Sequence, residues 1–246
     1  MGHNTQPTLS RVVVPKASEA LAEQIRNLIV AGTFQPGEML PAERDLIVET
    51  GLSRTTIRDA LRILESRGLI VTKPGRAGGS MVTLPGRDSI SRSVELFVRT
   101  HGIKLSSLLE CRVAVEPALA RLAALNRTDA QLAEMTELHE QFVQSIDNVT
   151  RYKRVNLDWH LAIARASHNE PLMALIEAIT MPIREAMDYR DVTTPEIRAS
   201  AIKSHTKIME AIRTQDGDAA FNRMNRHVSA YRDISAERLG DNPGPG

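Results

Sequence analysis

The chain of 246 residues has one cysteine, Cys111. No intramolecular disulfide can form, and no cysteine cluster can hold zinc. A lone thiol fits a reducing cytoplasm. Aromatic residues make up only 3%, too few for the stacking platforms that single-strand nucleic-acid binders need. Nowhere do eighteen apolar residues run together, so no membrane span is expected. The opening "MGHNTQPTLSRVVVP" lacks the apolar run of a signal peptide. Charge of either sign is not in excess: the formal net charge is +1, and no global basic surplus points to nucleic acid. The apolar fraction of 42% is enough for one large core or two ordinary ones. These exclusions leave a cytoplasmic protein as the expectation.

What is present divides at "TLPGRDS", residues 83–89, where a Pro-Gly pair separates two patterns. Before it, "SEALAEQIRNLIVAG" carries apolar residues at 21, 25, 28 and 29 and stops at Gly32, which predicts a helix. "TFQPGEMLP" reads as a loop and "AERDLIVETG" as a second helix ended by Gly51. The third helix starts at the cap Ser53 and ends at Gly68. "LIVTK" and "SMVTL" then predict two strands around "PGRAGG". Three helices followed by a two-stranded hairpin make a winged helix-turn-helix. Beyond residue 88 the pattern is helical throughout, with helices expected near 88–100, 105–126, 129–146, 151–167, 170–189, 194–214 and 216–238. Pro117 and Pro182 fall inside that pattern, where they should kink a helix or sit near its start. The expected fold is thus mainly α. Residues 1–10 are disordered, 11–84 form the winged helix-turn-helix, 85–88 a linker and 89–239 a helical bundle, with 240–246 a disordered tail.

The third helix concentrates chemistry at its start. Ile57, Leu61 and Leu64 form a buried face, which leaves Arg54, Thr55, Thr56 and Arg58 on the exposed first turn. A recognition helix presents that turn to base edges in the major groove. Arginine can pair bidentately with guanine, and threonine can reach a phosphate or a thymine methyl. Between Arg54 and Arg76 stand six basic residues and two acidic ones, a local excess that the whole-chain balance conceals. Arg76, flanked by Gly75 and the pair Gly78-Gly79, sits at the wing tip, where a minor groove is within reach.

The stretch "QPGEMLPAERDLIVETGLSRTTIRDALRILESRGLIVTKPGRAGGSMV" resembles the DNA-binding domain of the GntR family of bacterial transcription regulators. The resemblance implies that Arg44, Arg54, Thr56 and Arg58 touch an operator, with Gly75 beside the minor groove. Ser53, Thr55 and Arg76 complete the expected DNA-binding set. Where the family has a capping serine, this chain has Ala42, a loss of about 1 kcal/mol in capping. The helical remainder resembles the FCD group, the C-terminal domain type of FadR. The matching segments are "SSLLECRVAVEPALARLAA", "NLDWHLAIARASHN", "SHTKIMEAIRTQDGDAA" and "MNRHVSAY".

Many members of that group hold a divalent metal with one aspartate and three histidines. The matching positions here are Asn156, His160, His205 and His227. Residues four apart share a helix face, so 156 and 160 can grip one ion. Asp158 points elsewhere on the same helix and does not replace the missing carboxylate. Asn156 is either a weak neutral ligand or the mark of a site that has lost its metal. Three imidazoles suit zinc, nickel, cobalt or manganese; the plainer alternative is three ordinary polar core residues. The resemblance also makes Arg112 the residue that meets an acidic effector, since guanidinium suits carboxylate capture. Its alternative is a salt bridge with Glu116, one turn on. Cys111 reads as a packing residue, Trp159 as helix packing, Asn169 as a helix C-cap, and His3, His101, His139 and His168 as surface or loop residues. The implied protein is a homodimeric transcription regulator, a repressor, on an inverted-repeat operator of double-stranded DNA, controlled by a small organic acid. Two alternatives stand beside it: a regulator for which the metal ion itself is the signal, and a metal-dependent enzyme. Against the enzyme, no nucleophile or general base stands beside those histidines, so no catalytic residue is expected.

Overall fold

Leu21, Ala22, Ile25 and Ile29 lie on one stripe of α1 (Ala17–Val30), the first element in a computed structural model that describes residues 15–75, 78–188 and 193–239. The residues expected to be disordered, 1–10 and 240–246, lie outside the described residues, as does Arg76. The described chain divides between Gly86 and Arg87 into two units.

In the first unit the α1 stripe packs on α3 (Arg54–Ser66), which also packs on α2 (Glu43–Thr50). Leu46, Ile57, Leu61 and Leu64 meet it in one core. Gly68, with φ of +70°, reverses the chain after α3 at a backbone angle that side chains disfavour. Strands β1 (Ile70–Lys73) and β2 (Gly79–Val82) pair antiparallel, with Ile70 opposite Val82 and Lys73 opposite Gly79. The buried Ile70 and Val82 root this wing in the core. Glu65, at the end of α3, accepts from the Thr72 amide at 3.0 Å and ties helix to wing. Residues 37–40, expected as loop, also bond to β2. Leu40 N–H donates to the Ser80 carbonyl at 2.8 Å, and Val82 N–H to that of Glu38 at 2.8 Å. "GEML" lacks strand alternation, so this edge exists only because β2 is there to pair with it. A side chain at Gly79 would meet the Met39 methyl at 2.8 Å.

The second unit comprises α4 (Arg87–Thr100), α5 (Leu105–Asn126), α6 (Asp129–Gln144), α7 (Val149–Ala166), α8 (Glu170–Asp188), α9 (Pro195–Arg213) and α10 (Gly217–Leu239). Thr128 and Gln131 form a reciprocal cap on α6. Asn148 caps α7, and Thr194 with Pro195 starts α9. Helix α5 is central, packing on α7, α8, α9 and α10. Trp159, Ile163, Ile208, Ile212 and Met224 fill the core around it. Pro117 and Pro182 lie inside α5 and α8.

Three expectations are corrected here. Arg87, placed in the linker, opens α4, one residue before the helix start expected at 88. The reason is tertiary: the Arg87 guanidinium bonds Glu170 and Glu177 of α8. Asn169 is an N-cap and not a C-cap. His168, at φ of +56°, has already ended α7, and the Asn169 side chain accepts from the Leu172 amide at 3.0 Å to open α8. Cys111 is exposed, because α5 turns Leu108, Leu109 and Arg112 inward instead.

Candidate DNA interface and histidine chamber

The first turn of α3 is held by its cap. The Ser53 hydroxyl accepts from the Thr56 amide at 3.2 Å and lies 2.8 Å from the Thr56 hydroxyl. The two side chains are therefore engaged in fixing the turn, and Thr56 is half-buried. Arg54, Thr55 and Arg58 stand exposed around them. Neither Arg54 nor Arg58 has an acidic partner among the described residues, unlike Arg62, which faces Asp59 at 3.6 Å. Free guanidinium groups beside a helix N-terminus suit phosphate and base edges. Arg58 also lines a groove of about 630 Å³ between the start of α2, α3 and the wing. Arg44 is exposed on α2, next to Asp45. Ala42 occupies the α2 cap position and makes no side-chain cap bond; Glu43 and Asp45 in the first turn offset this through the helix dipole. Gly75 is exposed at the wing tip with φ of +112°.

In the helical unit, α7, α9 and α10 bring His160, His205 and His227 together. The Nε2 atoms of His205 and His227 are 3.0 Å apart, and those of His227 and His160 are 3.4 Å apart. His205 is clamped between two aromatic faces, Trp159 at 3.8 Å and Phe142 at 4.5 Å between ring centres. Trp159 thus packs, as expected, and also orients a histidine. Behind His160, its Nδ1 lies 2.6 Å from Glu116 Oε2, while Glu116 Oε1 accepts from Arg112 Nε. All three of these side chains are buried.

Burial sets the protonation of this cluster. Loss of solvent pushes His205 well below its ordinary value, with His227 and His160 adding to the shift. His227 falls to about 3, through burial first and then through His160 and Arg112. Burial also lowers His160, against the pull of Glu116. Burial pushes Glu116 the other way, but the Arg112 guanidinium and the His160 ring together outweigh it and hold the carboxyl well below the usual range. The result is three neutral imidazoles with converging nitrogens, one of them backed by a carboxylate. That donor set suits a divalent cation. The three ring donors could hold one ion, since they lie within 4.8 Å of one another. Asn156 is half-buried and lines a small chamber together with Arg112, Tyr152, Thr193, His227 and Tyr231.

Residues 17–78 match the family described as "Bacterial regulatory proteins, gntR family", and residues 107–230 match the "FCD domain". The chain belongs to the GntR family. Its helical unit is an FCD domain. The chain is 28% identical over 227 residues to the HTH-type transcriptional repressor NanR of Citrobacter rodentium, covering 87% of this chain and 84% of that protein. It is 34% identical over 167 residues to the Glc operon transcriptional activator of Escherichia coli K12, covering 66% and 65%. The solved structure of a Streptococcus agalactiae GntR protein shares the fold, with a TM-score of 0.62 over 88% of this chain and 99% of that one, at 22% identity. This GntR-family chain is therefore a DNA-binding transcription regulator and not an enzyme. No helix among its described residues is long and apolar enough to cross a membrane.

Two features of the GntR-family chain escaped the sequence reading. Glu116 does more than face Arg112: it also backs His160, 44 positions along the chain. Its place one turn after an arginine, on a mostly apolar helix, signals a buried pair, but nothing in sequence signals the histidine. His139 is half-buried and not a surface residue. Its Nε2 lies 3.1 Å from the Thr206 hydroxyl and its ring 6.2 Å from that of His205. His101 and His168 are exposed, and His3 lies outside the described residues.

Proposed function

We propose that this regulator acts as a homodimeric repressor on an inverted-repeat operator, and that a small organic acid bound beside a divalent metal in the FCD domain releases it. The observation that carries this reading is the convergence of His160, His205 and His227 next to the buried pair Arg112 and Glu116. When bound, a divalent ion supplies positive charge that anchors the oxygens of an acid. His160, His205 and His227 would hold it, with the Asn156 amide as a neutral fourth donor. Glu116 fixes the His160 ring through Nδ1, leaving Nε2 for the ion. Arg112 engages Glu116 through Nε and lines the chamber, where its remaining donors suit a carboxylate.

On the DNA side, Arg44, Arg54, Thr55 and Arg58 make the contacts, Ser53 and Thr56 shape the turn, and Gly75 with Arg76 brings the wing to the minor groove. The effector shifts the regulator between two states through the connection around residues 83–89, and it can do so only by binding one state more tightly. The relative matched over the larger share of the chain is named a repressor, which supports that sign. The whole arrangement belongs in the cytoplasm with the operator.

The test is operator binding by chelator-stripped protein, followed by gel shift with metal alone, carboxylates alone and both. Release that needs both supports the proposal. Release by metal alone makes the ion the signal and overturns the metabolite reading. His205→Ala should lower the metal content of purified protein; unchanged content returns the three histidines to the core.

A further inference from the structure

A second cavity lies outside the chamber, between α9 and α10. Ser200, Ala201 and Ser204 on α9 face Ala230 on α10, and these small side chains leave a groove of about 610 Å³. Its charge is uneven. Lys207 and Arg226 line it, are exposed, and have no acidic partner among the described residues. Arg223 is already engaged, donating to the Lys207 carbonyl. The carboxylate in the lining, Glu196, sits at the far end, about 16 Å from Lys207 at the helical rise.

The groove meets the histidine cluster at one place. Ile197, Ala201, His227 and Tyr231 line both the groove and the chamber that contains Arg112. His227 is also the one member of the histidine cluster that is not fully buried. Arg226 is its neighbour in sequence, and Arg223 precedes it by one turn, about 5 to 6 Å. The shared lining makes the two cavities adjoin, so one elongated ligand can reach from the Arg112 side of His227 into the groove.

We propose that this groove is the outer half of the effector site and takes the second carboxylate of an elongated organic diacid. Lys207 and Arg226 supply the countercharge, and the Ser200 hydroxyl supplies a neutral donor, that of Ser204 being given to the Ser200 carbonyl. The inner carboxylate is held on the Arg112 side of His227. This inference rests on the carboxylate-effector reading above and narrows its ligand class from any small acid to a diacid.

Succinate and butyrate share a four-carbon skeleton and differ in the outer carboxylate alone. Calorimetric titration of zinc-supplemented, full-length protein with succinate, glutarate and butyrate therefore isolates the outer subsite. The diacids should bind about tenfold more tightly than butyrate, the worth of one charge-assisted contact. The double variant Lys207→Gln, Arg226→Gln should abolish that preference and leave butyrate affinity unchanged. Both side chains are exposed, so the variant should melt like the parent. Butyrate binding with no diacid preference overturns the outer subsite and leaves the carboxylate reading standing. The outer subsite is equally overturned if the preference survives in the double variant, or if succinate and butyrate weaken in proportion. If none of the three acids binds, both readings fall.

Discussion

The two units use charge in opposite ways. In the DNA-binding unit, Arg54 and Arg58 are exposed, without an acidic partner among the described residues, and four residues apart on one turn. In the FCD domain, Arg112, Glu116 and His160 are buried and bound to one another, and the cluster draws on α5, α7, α9 and α10. An exposed arginine adds little to folding and keeps its donors for a partner. A buried one is held by its carboxylate, so function and stability cannot be altered separately there. The contrast predicts that the same kind of substitution reads out as lost binding in one unit and as lost stability in the other.

The largest effect should come from Glu116→Ala. It leaves the Arg112 charge buried without its partner, and stability should fall by about 3 to 5 kcal/mol, measured by urea unfolding. A variant as stable as the parent would mean that Arg112 reaches water, and the contrast would break. Next, Arg54→Ala should reduce specific operator affinity by about ten- to a hundredfold with little change in melting temperature. Retained binding in a gel shift removes Arg54 from the reading set.

A third effect is expected on acidification of metal-free protein. The folded-state values of His160, His205 and His227 lie below the ordinary 6.5. Below that pH the unfolded chain takes up protons that the folded chain refuses, so stability must fall as pH drops from about 6.5 toward about 3. Melting temperature measured across that window should decline. A flat profile would mean that the cluster is not buried in solution. The smallest effect should be Ala42→Ser, which restores a cap to α2 and should stabilise the DNA-binding unit by about 1 kcal/mol. No gain in its unfolding transition would show that Glu43 and Asp45 already satisfy that helix start.

The DNA-binding face was legible because its determinants are local. Ser53, the exposed first turn and the buried stripe of Ile57, Leu61 and Leu64 all follow from helical spacing over a dozen residues. The edge formed by residues 37–40 was not legible, since its hydrogen bonds are made to β2, 40 to 45 positions later. In the FCD domain, the helices and their starts at Thr128 and Pro195 could be read from caps and breakers. The grouping of His160, His205 and His227 came through family resemblance, because no spacing along the chain announces it. The contact of Glu116 with His160 and the clamp of Phe142 and Trp159 on His205 came only from helix packing. Cys111 and Asn169 were misplaced for the same reason. Periodicity says that a residue is near a helix face or end, but the neighbouring helix decides which face is covered and which end is capped.

The sequence by itself determined that this chain carries a winged helix-turn-helix, which turn of it faces outward, and where the helical unit begins to within two residues. Those properties depend on interactions among near neighbours, whose spacing is written directly in the chain. Only the tertiary structure decided which nitrogens converge, that Glu116 stands behind His160, and that α9 and α10 leave a basic groove against His227. Such properties depend on how distant helices pack, and the burial that packing imposes is what keeps three histidines neutral at one point in space.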